Sequence, residues 1–329
     1  MSLDRIRLAS LHDKVISAKQ AAEFIKDGMT VGMSGFTRAG EAKAVPLALV
    51  EQAHANPLKI TLITGASLGN DLDKKLTEAG VLARRLPFQV DNTLRKAINK
   101  GEVMFIDQHL SETVEQMRNL QLKKPDVAII EAVAITEDGG IIPTTSVGNS
   151  ASFAIFAEKV IVEINTNLSP AFEGLHDIYI PTYRPTRQAI PLTHVDERIG
   201  THAINIDPSK IVGIVFNNEL HDSPSTVTAP DDETQGIANH LIAFFEKEVE
   251  EGRLPKNLGP LQAGIGSIAN AVLTGLKDSN FEDLIMYSEV LQDCTFELID
   301  AGKMKFASGS SITLSAKYGE KVFNNLEQY

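Results

Sequence analysis

The feature that most constrains the fold is an alternation of short apolar runs with stretches of helical periodicity. The runs that we predict as buried strands are Thr30–Ser34, Lys59–Ile63, Val103–Ile106, Val127–Ile130, Lys159–Ile164 and Ile211–Phe216. The intervening helical stretches are Ala44–Ala55, Asp71–Ala79, Thr93–Lys100 and Ser111–Leu120. Several strands are apolar on both faces, as in a parallel sheet that helices cover. The alternation therefore predicts an α/β fold with open parallel or mixed sheets.

A polar segment interrupts this alternation and predicts a domain boundary. Asp222–Asp231 is rich in Ser, Thr, Pro and Asp and has no apolar period. We expect one domain at residues 1–224 and a second at 225–329. The second domain begins with an amphipathic helix, predicted over Thr234–Glu251. Its apolar face is predicted to carry Ile237, Leu241, Phe244 and Phe245.

Charge and composition exclude several classes of function. Lys and Arg total 31 against 43 Asp and Glu, which gives a formal net charge of −12. An acidic chain without a cluster of basic residues argues against binding to nucleic acid or to an anionic membrane surface. A phosphate-bearing ligand stays possible, because a few backbone N–H groups can hold a phosphate locally.

The cysteine and histidine content argues against a disulfide framework and a metal site. Cys294 is the single cysteine, so an internal disulfide and a cysteine-rich zinc site are impossible. The eight histidines show no spacing typical of metal ligands. Residues 1–14 lack the apolar core of a signal peptide, and no apolar run approaches the ~18 residues of a membrane span. We expect a cytoplasmic protein.

The most informative segment for chemistry begins at Leu261. Gly264, Gly266 and Ala269 form a G-x-G-x-x-A loop at the start of a helix predicted over Ile268–Leu276. A helix N-terminus has unpaired N–H groups and positive dipole character, so this loop suits an anion. A strand is predicted next over Leu284–Tyr287, with Glu289 just beyond its end.

The order strand, helix, strand places the glycine loop and Glu289 at the same edge of a sheet. Parallel neighbouring strands have their carboxyl ends on one side, where α/β proteins bind ligands. A third strand, predicted over Lys303–Ala307, ends at a polar loop, Ser308–Ser311. We therefore expect the loop and the carboxylate to share one crevice.

Three interpretations of this crevice stay open on spacing alone. The loop followed by an acid resembles a dinucleotide fingerprint, in which Glu289 would bind a ribose hydroxyl. Glu289 could instead be a covalent nucleophile, with N–H groups of the loop stabilising an oxyanion. A tight turn beside a solvated glutamate is the structural alternative.

At these residues the sequence resembles the acetyl-CoA hydrolase/CoA-transferase family, a branch of the class I CoA transferases, and most of all its succinyl-CoA:acetate type. The strongest resemblance lies in Gln262–Leu273 and Tyr287–Asp293. It extends over nearly the whole chain through Ser34–Thr37, Thr64–Ser67, Arg84–Gln89 and Ile130–Thr136. This resemblance favours the interpretation of Glu289 as a nucleophile.

The resemblance implies a fold of two α/β domains of the CoA-transferase (NagB/RpiA-like) type and a ping-pong transfer of CoA between short-chain acids such as acetate and succinate. Glu289 matches the family's catalytic glutamate. The matching CoA-contacting loop comprises Gly264, Ile265, Gly266, Ser267 and Ile268. No metal or redox cofactor is implied, and CoA enters as part of the substrate. Thioester hydrolysis is the related alternative, and an NAD-binding oxidoreductase is one from another class. The oligomeric state stays open, although base rates make a homodimer unsurprising.

The resemblance also implies that the second domain is incomplete. Family members continue well beyond the position that matches Tyr329, and the additional segment carries a second glycine-rich stretch. We expect little turnover unless another chain supplies that segment, and the non-enzymatic alternative is an inactive fragment or an assembly subunit.

Four further residues are weaker candidates. Ser67 follows a predicted strand and could bind a substrate carboxylate, although a helix-capping serine is the more common role. Arg84 and Arg85 could pair with a carboxylate or phosphate, but adjacent arginines are usually solvated or structural. Cys294 is predicted to be a buried structural thiol.

Overall fold

The structure, a computed structural model, describes residues 3–226 and 230–329. Residues 227–229 of the predicted linker, and the first two residues of the chain, lie outside the described residues. Contacts divide the chain into unit 1, residues 1–190 and 199–223, and unit 2, residues 191–198 and 224–329. The division into domains at 1–224 and 225–329 stays a prediction. No helix in the described part of the chain is both long enough and apolar enough to cross a bilayer.

Unit 1 is built on an eight-stranded sheet, which confirms the α/β prediction. Its strands are β1 Thr30–Met33, β2 Ile60–Ile63, β3 Leu82–Leu86, β4 Met104–Phe105, β5 Val127–Ile135, β6 Ile141–Pro143, β7 Lys159–Asn165 and β8 Ile211–Asn217. The order is β4-β3-β2-β1-β5-β7-β8, all parallel, with β6 antiparallel to β5. All nine residues of β5 are buried, which explains why eight of them are apolar and Glu131 is the one exception.

Helices alternate with these strands and cover the sheet with apolar residues. They are α1 Ala18–Ala22, α2 Ala44–Ala55, α3 Leu72–Glu78, α4 Asn92–Asn99, α5 Leu110–Arg118 and α6 Ser150–Phe156. Local sequence determines where several of them begin. Ser17 and Gln20 form a capping box at α1, and the Asp91 carboxylate accepts bonds from two N–H groups at the start of α4.

Helix α6 packs unusually close to the centre of the sheet. A Cβ atom at Gly32, in β1, would lie 2.8 Å from Cγ of Phe153. Phe153 belongs to α6 and is completely buried. The absence of a side chain at position 32 is what lets the aromatic ring lie against the strand.

Unit 2 carries a smaller parallel sheet with the order β11-β10-β9. Its elements are α7 Asp232–Glu250, β9 Pro260–Leu261, α8 Ser267–Lys277, β10 Leu284–Leu291, α9 Asp293–Asp300, β11 Met304–Ile312 and α10 Ala316–Phe323. Helix α7 lies against α8, where a Cβ atom at Gly275 would be 2.7 Å from Cδ1 of Ile242.

Three predictions for unit 2 were wrong in their detail. Strand β10 continues through Glu289 to Leu291, so the glutamate lies inside the strand rather than beyond its end. Ser308–Ser311 belongs to β11 and is not a loop. Both extensions arise because the two strands stay paired past their apolar portions, with Ser288 opposite Gly309 and Val290 opposite Ser311. Phe244 of α7 is 52% exposed and does not belong to a buried face.

Candidate functional site

The glycine loop of unit 2 precedes helix α8, as predicted. Gly266 is the residue before the helix and has a φ of 144°, a conformation that favours glycine. No side chain caps this end of α8. Among the described residues, none accepts a hydrogen bond from the backbone N–H groups of residues 264–269. The helix therefore begins with unpaired donors and the positive end of its dipole.

The loop lines a cavity of about 540 Å³. The cavity walls are apolar apart from the loop backbone and two polar side chains, Gln262 and Ser267. Leu241 and Phe245 of α7 contribute from one side, and Val272 of α8 from another. Ile265 and Ile268 are exposed by 64% and 48%. Such an apolar concavity at a helix N-terminus suits a ligand that combines an anionic group with an apolar part.

Glu289 lies on β10 next to the loop but is not part of the cavity wall. Its carboxylate side chain is exposed. The neighbouring residue Ser288 joins the strand to the loop, because its hydroxyl donates to the Ala263 carbonyl at 3.1 Å and accepts from the Ala263 N–H at 3.3 Å. The Gln292 side-chain amide donates to the Gly264 carbonyl at 3.2 Å. Side chains on both sides of Glu289, one within β10 and one just after it, thus bond the loop.

Cys294 is a poor nucleophile in this unit. The thiol is buried at the start of α9, as predicted, and lies 3.7 Å from Oδ1 of Asn270. Burial raises the pKa of this thiol to about 12, and the charge of Glu297 acts in the same direction. The thiolate that nucleophilic chemistry requires is therefore scarce at neutral pH.

In unit 1 the strand order reverses between β1 and β5, and the carboxyl edge at such a point is where α/β sheets bind ligands. Ser67 lies in the loop after β2 and is buried. It does not cap α3, whose N-cap position is Asp71. Arg85 is structural, because it is completely buried and its Nε bonds Oδ1 of Asp73 at 2.7 Å. The neighbouring Arg84 is only half-buried.

The same edge of unit 1 holds a buried charged cluster, which we define as Glu41, Lys43, Glu131 and Asp222. The Lys43 ammonium lies 2.6 Å from Oε1 of Glu131 and 2.7 Å from Oδ1 of Asp222. It also donates to the Glu41 carbonyl at 2.7 Å. The Glu41 carboxylate accepts bonds from the N–H of Gly69 and the amide of Asn70. The side chains of Glu41, Lys43 and Glu131 are at most 1% exposed.

Burial changes the protonation of this cluster. It raises the pKa of Glu41 to about 8, and the nearby Asp222 charge adds to the effect while the Lys43 charge opposes it. Burial also raises the pKa of Glu131 to about 7 against the attraction of Lys43. For Lys43, burial alone would lower the pKa, but the charges of Glu131, Asp222 and Glu41 outweigh it and raise the pKa.

Sequence analysis missed this cluster, although one signal was available. Glu131 and Glu163 are carboxylates within otherwise apolar strands, and they lie side by side in the pairing of β5 with β7. A buried carboxylate needs a partner. The partner of Glu163 is the start of α2. Its carboxylate accepts hydrogen bonds of 2.8, 2.9 and 3.1 Å from the backbone N–H groups of Lys43, Ala44 and Val45.

Within residues 3–226 and 230–329, no three His, Cys, Asp or Glu side chains come together in a way that could hold a metal ion.

Comparison with known proteins places the chain in a sequence family. Residues 2–216 match the model of the acetyl-CoA hydrolase/transferase N-terminal domain. The chain is 46% identical over 313 residues to succinyl-CoA:acetate CoA-transferase of Clostridium kluyveri, covering 94% of this chain and 58% of the relative. It is 40% identical over 336 residues to acetyl-CoA hydrolase of Saccharomyces cerevisiae, covering 99% of this chain and 63% of that protein. The chain thus spans about three fifths of the length of these relatives.

Solved structures show the same fold at low sequence identity. RipA from Yersinia pestis superimposes with a TM-score of 0.69 at 18% identity, covering 96% of this chain and 67% of that one. A 4-hydroxybutyrate CoA-transferase from Porphyromonas gingivalis gives a TM-score of 0.62 at 19% identity, with coverage of 96% and 67%. The α/β architecture of the chain is therefore that of these proteins.

Proposed function

Because the chain belongs to the acetyl-CoA hydrolase/transferase family, we propose that it moves CoA between short-chain carboxylic acids, with acetate and succinate as the first substrates to test. In this proposal Glu289 is the covalent nucleophile. Residues Gly264–Ile268 contact the acyl-CoA and stabilise the oxyanions that form on its carbonyl. CoA is part of the substrate, and the proposal requires no metal or redox cofactor.

The reaction proceeds in two halves through intermediates on Glu289. The carboxylate attacks the thioester carbonyl of the first acyl-CoA. The C–S bond breaks, CoA departs as the thiolate, and an acyl-glutamyl anhydride is formed. The thiolate then attacks the glutamyl carbonyl, which releases the first carboxylate and forms a glutamyl-CoA thioester. A second carboxylate attacks that thioester, and the returning thiolate converts the resulting anhydride to the new acyl-CoA, which regenerates Glu289.

The observation that carries the proposal is the adjacency of an exposed carboxylate and a helix N-terminus with unpaired donors. Ser288, beside Glu289, bonds Ala263, beside Gly264. Each tetrahedral intermediate bears a negative oxygen, and preoriented N–H groups are the donors that stabilise such an oxygen. The apolar cavity beside the loop offers room for the part of an acyl-CoA that is not charged.

Hydrolysis is the second candidate, because water can replace the second carboxylate at the same intermediate. The names of the relatives include both activities. The two outcomes differ in the fate of the acyl donor. A transferase retains the thioester as a new acyl-CoA, whereas a hydrolase releases free CoA.

The proposal is tested by incubating the protein with succinyl-CoA and isotopically labelled acetate. If the protein transfers CoA, labelled acetyl-CoA is formed. If it hydrolyses the thioester, free CoA thiol is released and no labelled acetyl-CoA is formed. Because the chain spans about three fifths of its relatives, the assay is run with the chain alone and with the unmatched part of the C. kluyveri relative added as a separate polypeptide.

The variant Glu289→Gln should abolish either activity. Its matched control is Glu320→Gln, which changes an exposed glutamate on α10. Activity that persists in Glu289→Gln would contradict the proposal, and so would the absence of both products under both conditions.

A further inference from the structure

The glycine loop is held by side chains at the point where regular strand pairing stops. Strand β9 pairs with β10 only through Pro260 and Leu261. Two residues later, the Ser288 hydroxyl bonds both backbone groups of Ala263. One residue further, the Gln292 amide bonds the Gly264 carbonyl. Side chains of β10 and of the residue that precedes α9 thus take over from the backbone hydrogen bonds of the sheet.

These two contacts determine the direction of two backbone N–H groups. In a trans peptide the C=O of one residue and the N–H of the next lie in one plane and point in opposite directions. In the part of the chain that the structure describes, the cis bonds occur only before Pro87 and Pro185. Because the Ala263 carbonyl faces Ser288, the Gly264 N–H points away from it. Because the Gly264 carbonyl faces Gln292, the Ile265 N–H points away from that side chain.

We propose that Ser288 and Gln292 are positioning residues that fix the direction of the Gly264 and Ile265 N–H groups and so preorganise the loop that contacts the acyl-CoA. This inference rests on the proposed function and deepens it. Neither side chain reacts, and each acts through the loop. The nucleophile and both positioning residues lie within five consecutive positions, 288–292, so one short segment sets the carboxylate and the donors relative to each other.

Burial makes Gln292 an effective anchor. Its side chain is 8% exposed, and it is the N-cap residue of α9 without capping that helix through its side chain. The amide is therefore available for the Gly264 carbonyl. Glycine at positions 264 and 266 provides no side chain that would resist movement of the loop. Without the two side-chain bonds, we expect the loop to sample many orientations and its donors to lose their preorganisation.

The first test measures the loop itself and needs no turnover. The chain contains no tryptophan, so Ile265→Trp introduces a single fluorescent reporter at an exposed loop position. In this background Ser288→Ala and Gln292→Met should each lower the steady-state anisotropy of the reporter, and the double variant should lower it most. The conservative Ser288→Thr keeps the hydroxyl and should restore the anisotropy. Ser310→Ala, an exposed serine in β11, is the matched control.

The second test measures chemistry in the same substitutions without the reporter. The protein is mixed with acetyl-CoA, quenched at intervals, and digested, and the Glu289 peptide that carries the CoA thioester is quantified by mass. We expect its formation to slow by about 100-fold in the double variant, which is the cost of a misplacement of about 1 Å and the lower end of the cost of losing one oxyanion donor. The acetyl-CoA concentration at half-maximal rate should change much less, and Ser288→Thr should keep the wild-type rate.

The outcomes separate this inference from the proposed function. Unchanged anisotropy in the double variant overturns the inference, and so does lowered anisotropy with an unchanged rate of thioester formation. Wild-type protein that forms no adduct on Glu289, with or without the added polypeptide, overturns the proposed function and the inference together. Thermal unfolding shows whether each variant folds. If the double variant does not fold, the anisotropy and the rate of thioester formation in the two single variants test the inference instead.

Discussion

The buried charged cluster of unit 1 makes stability depend on pH in a direction that can be worked out in advance. Glu41 is completely buried, and burial raises the pKa of its carboxyl group from 4.5 to about 8. Between these values the folded protein keeps a proton that the unfolded chain has lost. The free energy of unfolding therefore falls as pH rises through this window, and the stability is fully present only below about pH 4.5.

The size of the effect follows from the width of the window. Each pKa unit corresponds to 1.36 kcal/mol, so a window of about 3.5 units gives a contribution on the order of 5 kcal/mol from Glu41. Glu131, whose pKa is raised to about 7, adds a contribution of the same sign. Glu41→Gln removes the ionisable group and keeps an oxygen for the Gly69 N–H. The variant should gain stability relative to wild type as pH rises, by several kcal/mol between pH 5 and pH 9.

Urea unfolding followed by circular dichroism at pH 5, 6, 7, 8 and 9 measures this difference. We expect Glu41→Gln to be no more stable than wild type at pH 5 and clearly more stable at pH 9. Glu51→Gln, at an exposed position of α2, is the control for the loss of one negative charge. A difference between Glu41→Gln and wild type that stays constant across the pH range would contradict a buried, protonated Glu41. A difference that increasingly favours wild type at high pH would contradict it as well.

The remaining predictions concern packing, the buried ion pair and the thiol. Gly32→Ala places a methyl group 2.8 Å from Cγ of Phe153 and should lower the free energy of unfolding by about 1–3 kcal/mol, measured in urea. Lys43→Met leaves Glu131 buried without its cation and should cost about 3–5 kcal/mol at pH 9, above the pKa of Glu131 in the wild-type protein. Adding Glu131→Gln should restore part of that loss, and no restoration would argue against the pairing. Cys294 should react with a thiol reagent only on unfolding, and rapid labelling of the folded protein would contradict its burial and raised pKa.

Much of the fold could be predicted because the period of apolar residues reports burial directly. Helix α2 occurs at Ala44–Ala55, as the periodicity predicts. Six of the eight strands of unit 1 coincide with predicted apolar runs, whereas β3, which carries Arg84 and Arg85, and the three-residue β6 were not predicted. The helix after the glycine loop was also predicted, with its start one residue from the observed Ser267. These features depend on residues that lie close together in the sequence.

The ends of β10 and β11 could not be predicted, because they depend on the neighbouring strand. Polar residues 308–311 have no strand signal of their own, yet they pair with residues 287–290. The charged cluster of unit 1 was missed for a similar reason. Glu131 meets Lys43, 88 residues away, and Asp222 comes from the far end of the unit. Only the folded sheet brings these charges together.

The most direct test of Glu289 as the covalent nucleophile is a chemical label on that residue. The protein is incubated with acetyl-CoA, alone and with the added polypeptide, then treated with borohydride, digested and analysed by mass spectrometry. Borohydride reduces a glutamyl thioester to an alcohol, so we expect that mass change at position 289 and none in Glu289→Ala. An unmodified Glu289 under both conditions, or modification at another residue such as Cys294, would contradict it.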